Sequence, residues 1–355
     1  MKYASRFLLS VSAFALSSMA FVACQPSSTD LNMPQLQQDP MVIPAHFPKP
    51  VVPASNPMTP AKVELGHQLF YDVRLSSTNT QSCAGCHSLA ASFSDRGQPV
   101  SLGARGQRGF RNAPALMNVA YDTVFFWDGR ATSLEKQALG PITNPVELAN
   151  DSNTVVATLK NIPFYEKLFA DAFGDGAITF TRIGQALASF ERTFISGSSL
   201  YDQFYVAAQH GDSSALSASA LRGFKLFNSK EVNCVGCHKG VTFTDNAYHS
   251  TGLDFNYADQ GREDVTNSQG DNGKFRTPSL RNIALTTPYM HDGRFTTLTQ
   301  VLAHYNEGGK HNTNQDTLIH ALKLKDSQVN DIIEFLNSLT DNQFTNTRAF
   351  ANPFN

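Results

Sequence analysis

The chain has 355 residues, 41% hydrophobic and 16% charged, with 26 Phe but a single Trp. That composition excludes disorder throughout and supplies ample apolar surface for a core. At the usual ~100 to 200 residues per domain this length predicts two domains, and a formal charge of −2 provides no basic field to hold nucleic acid.

Residues 1–23 read as an export signal of the lipoprotein type. Lys2 and Arg6 precede an apolar run, Phe7 to Ala23, broken by serines and ending in a small residue. A spanning helix would need about 20 more uniformly apolar residues. Cys24 directly after Ala23 resembles a bacterial lipobox, with Phe21 in place of the usual leucine. Cleavage there would lipidate Cys24 as the only membrane attachment and leave a mature charge near −4. Gln25 suits sorting to the outer membrane, so the expected location is the periplasm of a bacterium.

Residues 24–58 form a Pro-rich tether, with seven prolines from Pro40 to Pro60, stiff and extended as a spacer should be. A first domain, 59–210, opens at Thr59-Pro60 with a capping residue and a first-turn proline. Its apolar positions Val63, Leu69 and Phe70, and later Ile183, Leu187, Phe190 and Phe194, are spaced for helices. A Ser/Ala-rich passage, 211–219, leads into a second domain, 211–355, where Val329, Ile332, Ile333, Leu336 and Leu339 predict another helix. Residues 254–274, rich in Gly, Asp and Asn, read as a long surface loop. No segment alternates convincingly as a strand, so the expected fold is mainly α.

Without Cys24, four cysteines remain, all in two copies of one pattern: Cys83-Ala84-Gly85-Cys86-His87 and Cys234-Val235-Gly236-Cys237-His238. C-x-x-C-H is the attachment sequence for c-type haem, because two thiols three positions apart capture the vinyl groups while the adjacent imidazole reaches the iron. A thioredoxin-like pair would want a βαβ context, and a zinc site would need the two pairs to meet.

The motifs lie in an internal repeat. Gly66-His67-Gln68-Leu69-Phe70 precedes the first pair and Gly223-Phe224-Lys225-Leu226-Phe227 the second. Pro114-Ala115-Leu116-Met117-Asn118 leads to Trp127-Asp128-Gly129-Arg130, and Pro278-Ser279-Leu280-Arg281-Asn282 leads to His291-Asp292-Gly293-Arg294 with the same spacing. The chain is a duplicated haem module. In that register Tyr305 corresponds to Pro141. If the position faces the far side of each iron, tyrosine offers an oxygen ligand and proline offers nothing, so the second haem is held by His238 and Tyr305 and the first by His87 alone. Tyr305 also lies on an apolar stripe with Leu298, Val301 and Leu302, so a packing role stays open, with Met290 and His304 as lesser ligand candidates.

Arg111-Asn112-Ala113-Pro114, Phe126-Trp127-Asp128-Gly129-Arg130, Asn144-Pro145-Val146-Glu147 and Thr287-Pro288-Tyr289-Met290-His291-Asp292-Gly293-Arg294, with the two haem motifs, resemble the bacterial di-haem cytochrome c peroxidase and MauG family from about residue 60 to 340. The resemblance implies two tandem cytochrome c-like domains, one haem c reacting with hydrogen peroxide and the other handling electrons, the tyrosine being the MauG-type variant. It makes Glu147 the acid and base beside the first iron, with Gln137 and Pro141 in the same pocket and Trp127 between the haems. A calcium ion is implied between the haems, with Asn112 giving a side-chain oxygen and Thr286 and Pro288 giving carbonyls; Asn112 as a plain turn residue is the alternative. A homodimer is admitted as well. The family's loop histidine is replaced by Gly103, and Met117 reads as packing; an iron left open in this way is expected to act on peroxide without prior reduction. Glu135, between Leu134 and Lys136, reads as an exposed competitor of Glu147.

Three functions follow. The first is a peroxidase fed by a small cytochrome c or copper protein. The second uses the same oxidising equivalents on Trp or Tyr side chains of a partner protein, which the sole Trp disfavours because no second Trp remains to carry holes to the surface. The third, a passive electron carrier, has no need of a distal carboxylate.

Overall fold

The computed structural model describes residues 40–354; the signal segment, Cys24 and residues 24–39 of the tether lie outside the described residues. Helix α1 (Pro60–Tyr71) starts as its sequence dictates: the Thr59 hydroxyl accepts from Lys62 N at 3.2 Å, and Pro60 stands where its missing N–H costs nothing. The single turn α2 (Cys83–Cys86) carries the first Cys pair. Helices α3 (Leu134–Thr143), α4 (Ser152–Lys160), α5 (Pro163–Phe173) and α6 (Phe180–Glu191) then close one core around Leu65, Phe70, Phe93, Phe190 and Phe194. Helix α7 (Leu200–Ala208) turns into α8 (Ala218–Phe227), which packs with α10 (Leu298–Glu307) and α11 (Asp326–Asn337) around a second core of Phe227, Leu302, Ile332, Phe335 and Leu336. Short helices α9 (Glu263–Thr266) and α12 (Asn342–Thr345) complete the set. One small sheet pairs β1 (Tyr248–His249) antiparallel to β2 (Phe275–Arg276); two residues per strand are too few to leave a period-2 signal.

The sequence repeat is a structural repeat. A Cβ on Gly66 would stand 2.0 Å from the Ala186 carbonyl oxygen of α6, and one on Gly223 1.9 Å from the Asp331 carbonyl oxygen of α11. In each module the glycine therefore marks where two helix backbones cross in contact. Asn118 and Asn282 both adopt left-handed φ, at 61° and 54°. Each side-chain oxygen accepts a backbone N–H, from Ser196 at 3.0 Å and from Asp341 at 2.6 Å, tying each loop to the chain that follows the last long helix of its module.

Three segments depart from the sequence reading. Residues 40–58 are no free spacer: Met41, Phe47 and Asn56 are buried, His46 pairs with Asp202 at 3.0 Å, and Tyr121 donates to the Pro48 carbonyl at 2.9 Å. Burying a Phe is worth ~1.5–3 kcal/mol, which a solvated tether forgoes. The chain end returns to the first module, where Tyr71 donates to the Phe350 carbonyl at 2.6 Å and Phe344 joins the first core. Finally, residues 254–274 grip the first module: Arg111 pairs with Asp259 at 2.7 Å, and Arg262 donates to the Asp128 and Gly129 carbonyls at 2.8 and 3.1 Å. Polar composition there reflects interface hydrogen bonding rather than solvent alone. Among the described residues no helix is long and apolar enough to cross a membrane.

Candidate active site

Each C-x-x-C-H motif lines its own cavity. The first, about 150 Å³, is bounded by Cys83, Cys86, His87, Gln137, Pro141 and Glu147. The second, about 230 Å³, is bounded by Cys234, Cys237, His238, Met290 and Tyr305. The two Cys pairs therefore do not meet, and a shared zinc site is excluded. In both modules the motif histidine gives Nδ1 to a backbone carbonyl, His87 to Phe93 at 2.8 Å and His238 to Phe243 at 3.1 Å. Burial holds both imidazoles below their ordinary pKa, so each is neutral and keeps Nε2 as the ligand nitrogen. Burial pushes the Cys83, Cys86 and Cys234 thiols the other way, Cys234 up to about 12, which suits capped sulfurs and not a redox-active pair. The residues present thus fit two covalently held haems.

The first cavity carries the acid-base equipment. Glu147 accepts from Asn144 Nδ2 at 2.8 Å through Oε1. Burial raises its carboxyl above the ordinary range, while the Arg130 guanidinium and the Asn144 hydrogen bond pull it back. Gln137 presents a buried Oε1 with no hydrogen-bond partner among the described residues. At Gly103 a Cβ would stand 2.2 Å from the Val146 carbonyl oxygen and 2.8 Å from that of Glu147, so the backbone beside Glu147 leaves no room there for a histidine. Glu135 is not exposed: it pairs with Arg192 at 2.7 Å and accepts from Asn56 at 3.0 Å, because α3 lies across α6 at that point.

In the second cavity Tyr305 stands on the wall formed by α10, and burial raises its phenol; only a cation bound to the oxygen would hold it as phenolate at neutral pH. His304 is turned away, its Nε2 bonded to the Thr251 carbonyl at 3.0 Å. Met117 lines this second cavity and not the first, so it does not cap the first site. Met290 lines it too.

The description "Di-haem cytochrome c peroxidase" attaches to the family model matching residues 60–210, and a cytochrome c model matches 220–340. The methylamine utilization protein MauG of Methylophilus methylotrophus is 39% identical over 81% of this chain and 84% of that one. The cytochrome c551 peroxidase of Nitrosomonas europaea is 35% identical over 85% of this chain and 86% of that one. The chain belongs to the di-haem cytochrome c peroxidase and MauG family. A crystal structure of a MauG-like protein associated with microbial copper homeostasis superposes with a TM-score of 0.82 at 33% identity, covering 88% of this chain and 99% of that one. Membership in this family makes the fold two tandem cytochrome c-like domains and the cofactors two haem c groups.

For a di-haem family member the region between the cavities matters most. Trp127 lines both cavities, and its indole N–H donates to the Asn112 carbonyl at 2.8 Å. Asn112, Thr286 and Pro288 all line the second cavity, and Asn112 Nδ2 donates to the Gln98 and Pro99 carbonyls at 3.1 and 3.2 Å, which orients the amide. Sequence reading missed Arg276 and Asp122, which line both cavities and pair at 2.9 Å. The repeat register held the clue for Arg276, which stands two residues before Pro278 as Asn112 stands before Pro114. It also missed Glu191, a buried carboxyl on the first cavity that burial pushes up to about 8; a lone Glu at the end of an apolar helix carries no signal of that kind.

Proposed function

We propose that this protein is a periplasmic di-haem peroxidase that reduces hydrogen peroxide to water with electrons from a small cytochrome c or copper protein. One observation supports the reading above the others: the two haem cavities share Trp127, and Glu147, held by Asn144, lines the first and not the second. When bound, the haems would supply redox-active iron and a store of single electrons. The chain's own work there is positional. Glu147, oriented by Asn144, would take a proton from one peroxide oxygen and return it to the leaving oxygen, a role typically worth 10²–10⁴-fold. Gln137 offers its amide to the same small volume, and Pro141 keeps protein donors away from the iron. Tyr305 and His238 would together hold the second haem, and Trp127 stands where the two cavities adjoin. A calcium ion held by Asn112, Thr286 and Pro288 would fix the loops that carry Trp127, and lipidation at Cys24 would tether the enzyme to the outer membrane. The domain limits proposed are 59–210 and 211–355.

The decisive experiment is spectroscopy of the resting ferric protein with turnover of peroxide by reduced cytochrome c. One five-coordinate and one six-coordinate haem, with rapid donor oxidation, is the expected result; two six-coordinate haems with protein ligands remove the peroxide entry point. Tyr305 favours a second reading, oxidation of Trp or Tyr in a partner protein, since a phenolate ligand stabilises high iron valence. Slow donor oxidation with a covalent change in the partner would select it.

A further inference from the structure

Between the two cavities lies one buried cation with donors to spare. Arg276 is 8% exposed and lines both cavities. Its Nη1 donates to Asp122 Oδ2 at 2.9 Å and to Asn246 Oδ1 at 3.3 Å, while its buried Nε has no hydrogen-bond partner among the described residues. A guanidinium is always charged and carries five donors in a planar fork; leaving one unpaired inside a protein costs free energy. The backbone of the same residue is already committed to the junction.

Arg276 N donates to the Trp127 carbonyl at 2.8 Å, and its repeat counterpart Asn112 N donates to the carbonyl of His291, the counterpart of Trp127, at 2.7 Å. The modules thus exchange equivalent hydrogen bonds at their junction, and the exchange differs only in the side chains: an amide on one side, a guanidinium on the other.

We propose that Arg276 binds the carboxylate side arms of both porphyrins, one from each cavity, and so acts as a positioning residue that couples the two haems electrostatically while its backbone seats Trp127. The ligand class follows from the donor set: a planar fork left partly open, with a single protein carboxylate, between two cavities that each hold an acidic cofactor. The proposal rests on the two-haem part of the reading above and not on its peroxide chemistry.

A positive charge next to a haem favours the reduced, more negative form. Spectroelectrochemical titration of the intact two-haem protein without peroxide is therefore the test. Arg276→Gln should lower both midpoint potentials, Asp122→Asn should raise both, and Arg276→Lys, which keeps the charge, should stay nearest the parent. Opposite shifts felt by both haems support the assignment, and a general loosening of the fold does not produce them. Potentials that stay put, as when Nε meets only water, overturn it, as does a shift confined to one haem. If Arg276→Gln fails to assemble with two haems, the Asp122→Asn titration decides alone. Because no turnover is measured, loss of the peroxidase reading and loss of this proposal are separate outcomes.

Discussion

The two modules use one scaffold to opposite ends. In matching positions of α3 and α10 and the turns after them, the first module has Gln137, Pro141 and Glu147, and the second has Val301, Tyr305 and His311. The first set puts an amide and a carboxyl around a proline that ligates nothing. In the second, Val301 and Tyr305 line the cavity, whereas His311 gives its backbone N–H to Gln315 at 2.7 Å and stays outside. Met117 against Arg281 repeats the lesson, since Arg281 is buried and bidentate to Asp202 at 2.8 Å. The repeat keeps the helix crossings and the carbonyl-bonded motif histidines, and the two modules differ in the side chains that face the cavities.

The strongest way to break that comparison is Glu147→Gln. It should lower the rate of reaction with peroxide by about 10²–10⁴-fold in stopped-flow mixing with both haems still bound; an unchanged rate would remove the asymmetry of function. Next comes Arg281→Met, which writes the first module's residue into the second. It leaves Asp202 buried with His46 and Ser199 as its remaining side-chain partners, and the expected loss is ~3–5 kcal/mol by urea unfolding.

Gly66→Ala and Gly223→Ala sharpen the comparison from the other side. Each Cβ would overlap a backbone carbonyl of the facing helix, so each should cost ~1–3 kcal/mol, and similar costs are expected if the crossings are truly equivalent. Smallest is a pH effect. Burial raises the Glu147 carboxyl, and its deprotonated form is the base, so activity should fall as pH drops through a value above the ordinary glutamate range. The acid limb of kcat/KM should move higher still in Arg130→Gln, which removes the cation that pulls that carboxyl down; a limb at the ordinary value would place Glu147 in solvent.

Much of this is legible in the sequence. Covalent attachment needs two thiols and an imidazole at one local spacing, so C-x-x-C-H declares the cofactor by itself, and the repeat declares two modules and sets Tyr305 against Pro141. Helix starts such as Thr59-Pro60 are local in the same sense. Only the tertiary structure could decide what depends on residues far apart in the chain. Phe47 and His46 turn a tether into a strap because Asp202 and Arg281 wait for them; Glu135 is withdrawn from solvent by Arg192; and Arg276 reaches both cavities because β2 seats it on Trp127. Desolvation, ion pairing and close backbone approach are properties of the assembled neighbourhood, and no single window of sequence contains them.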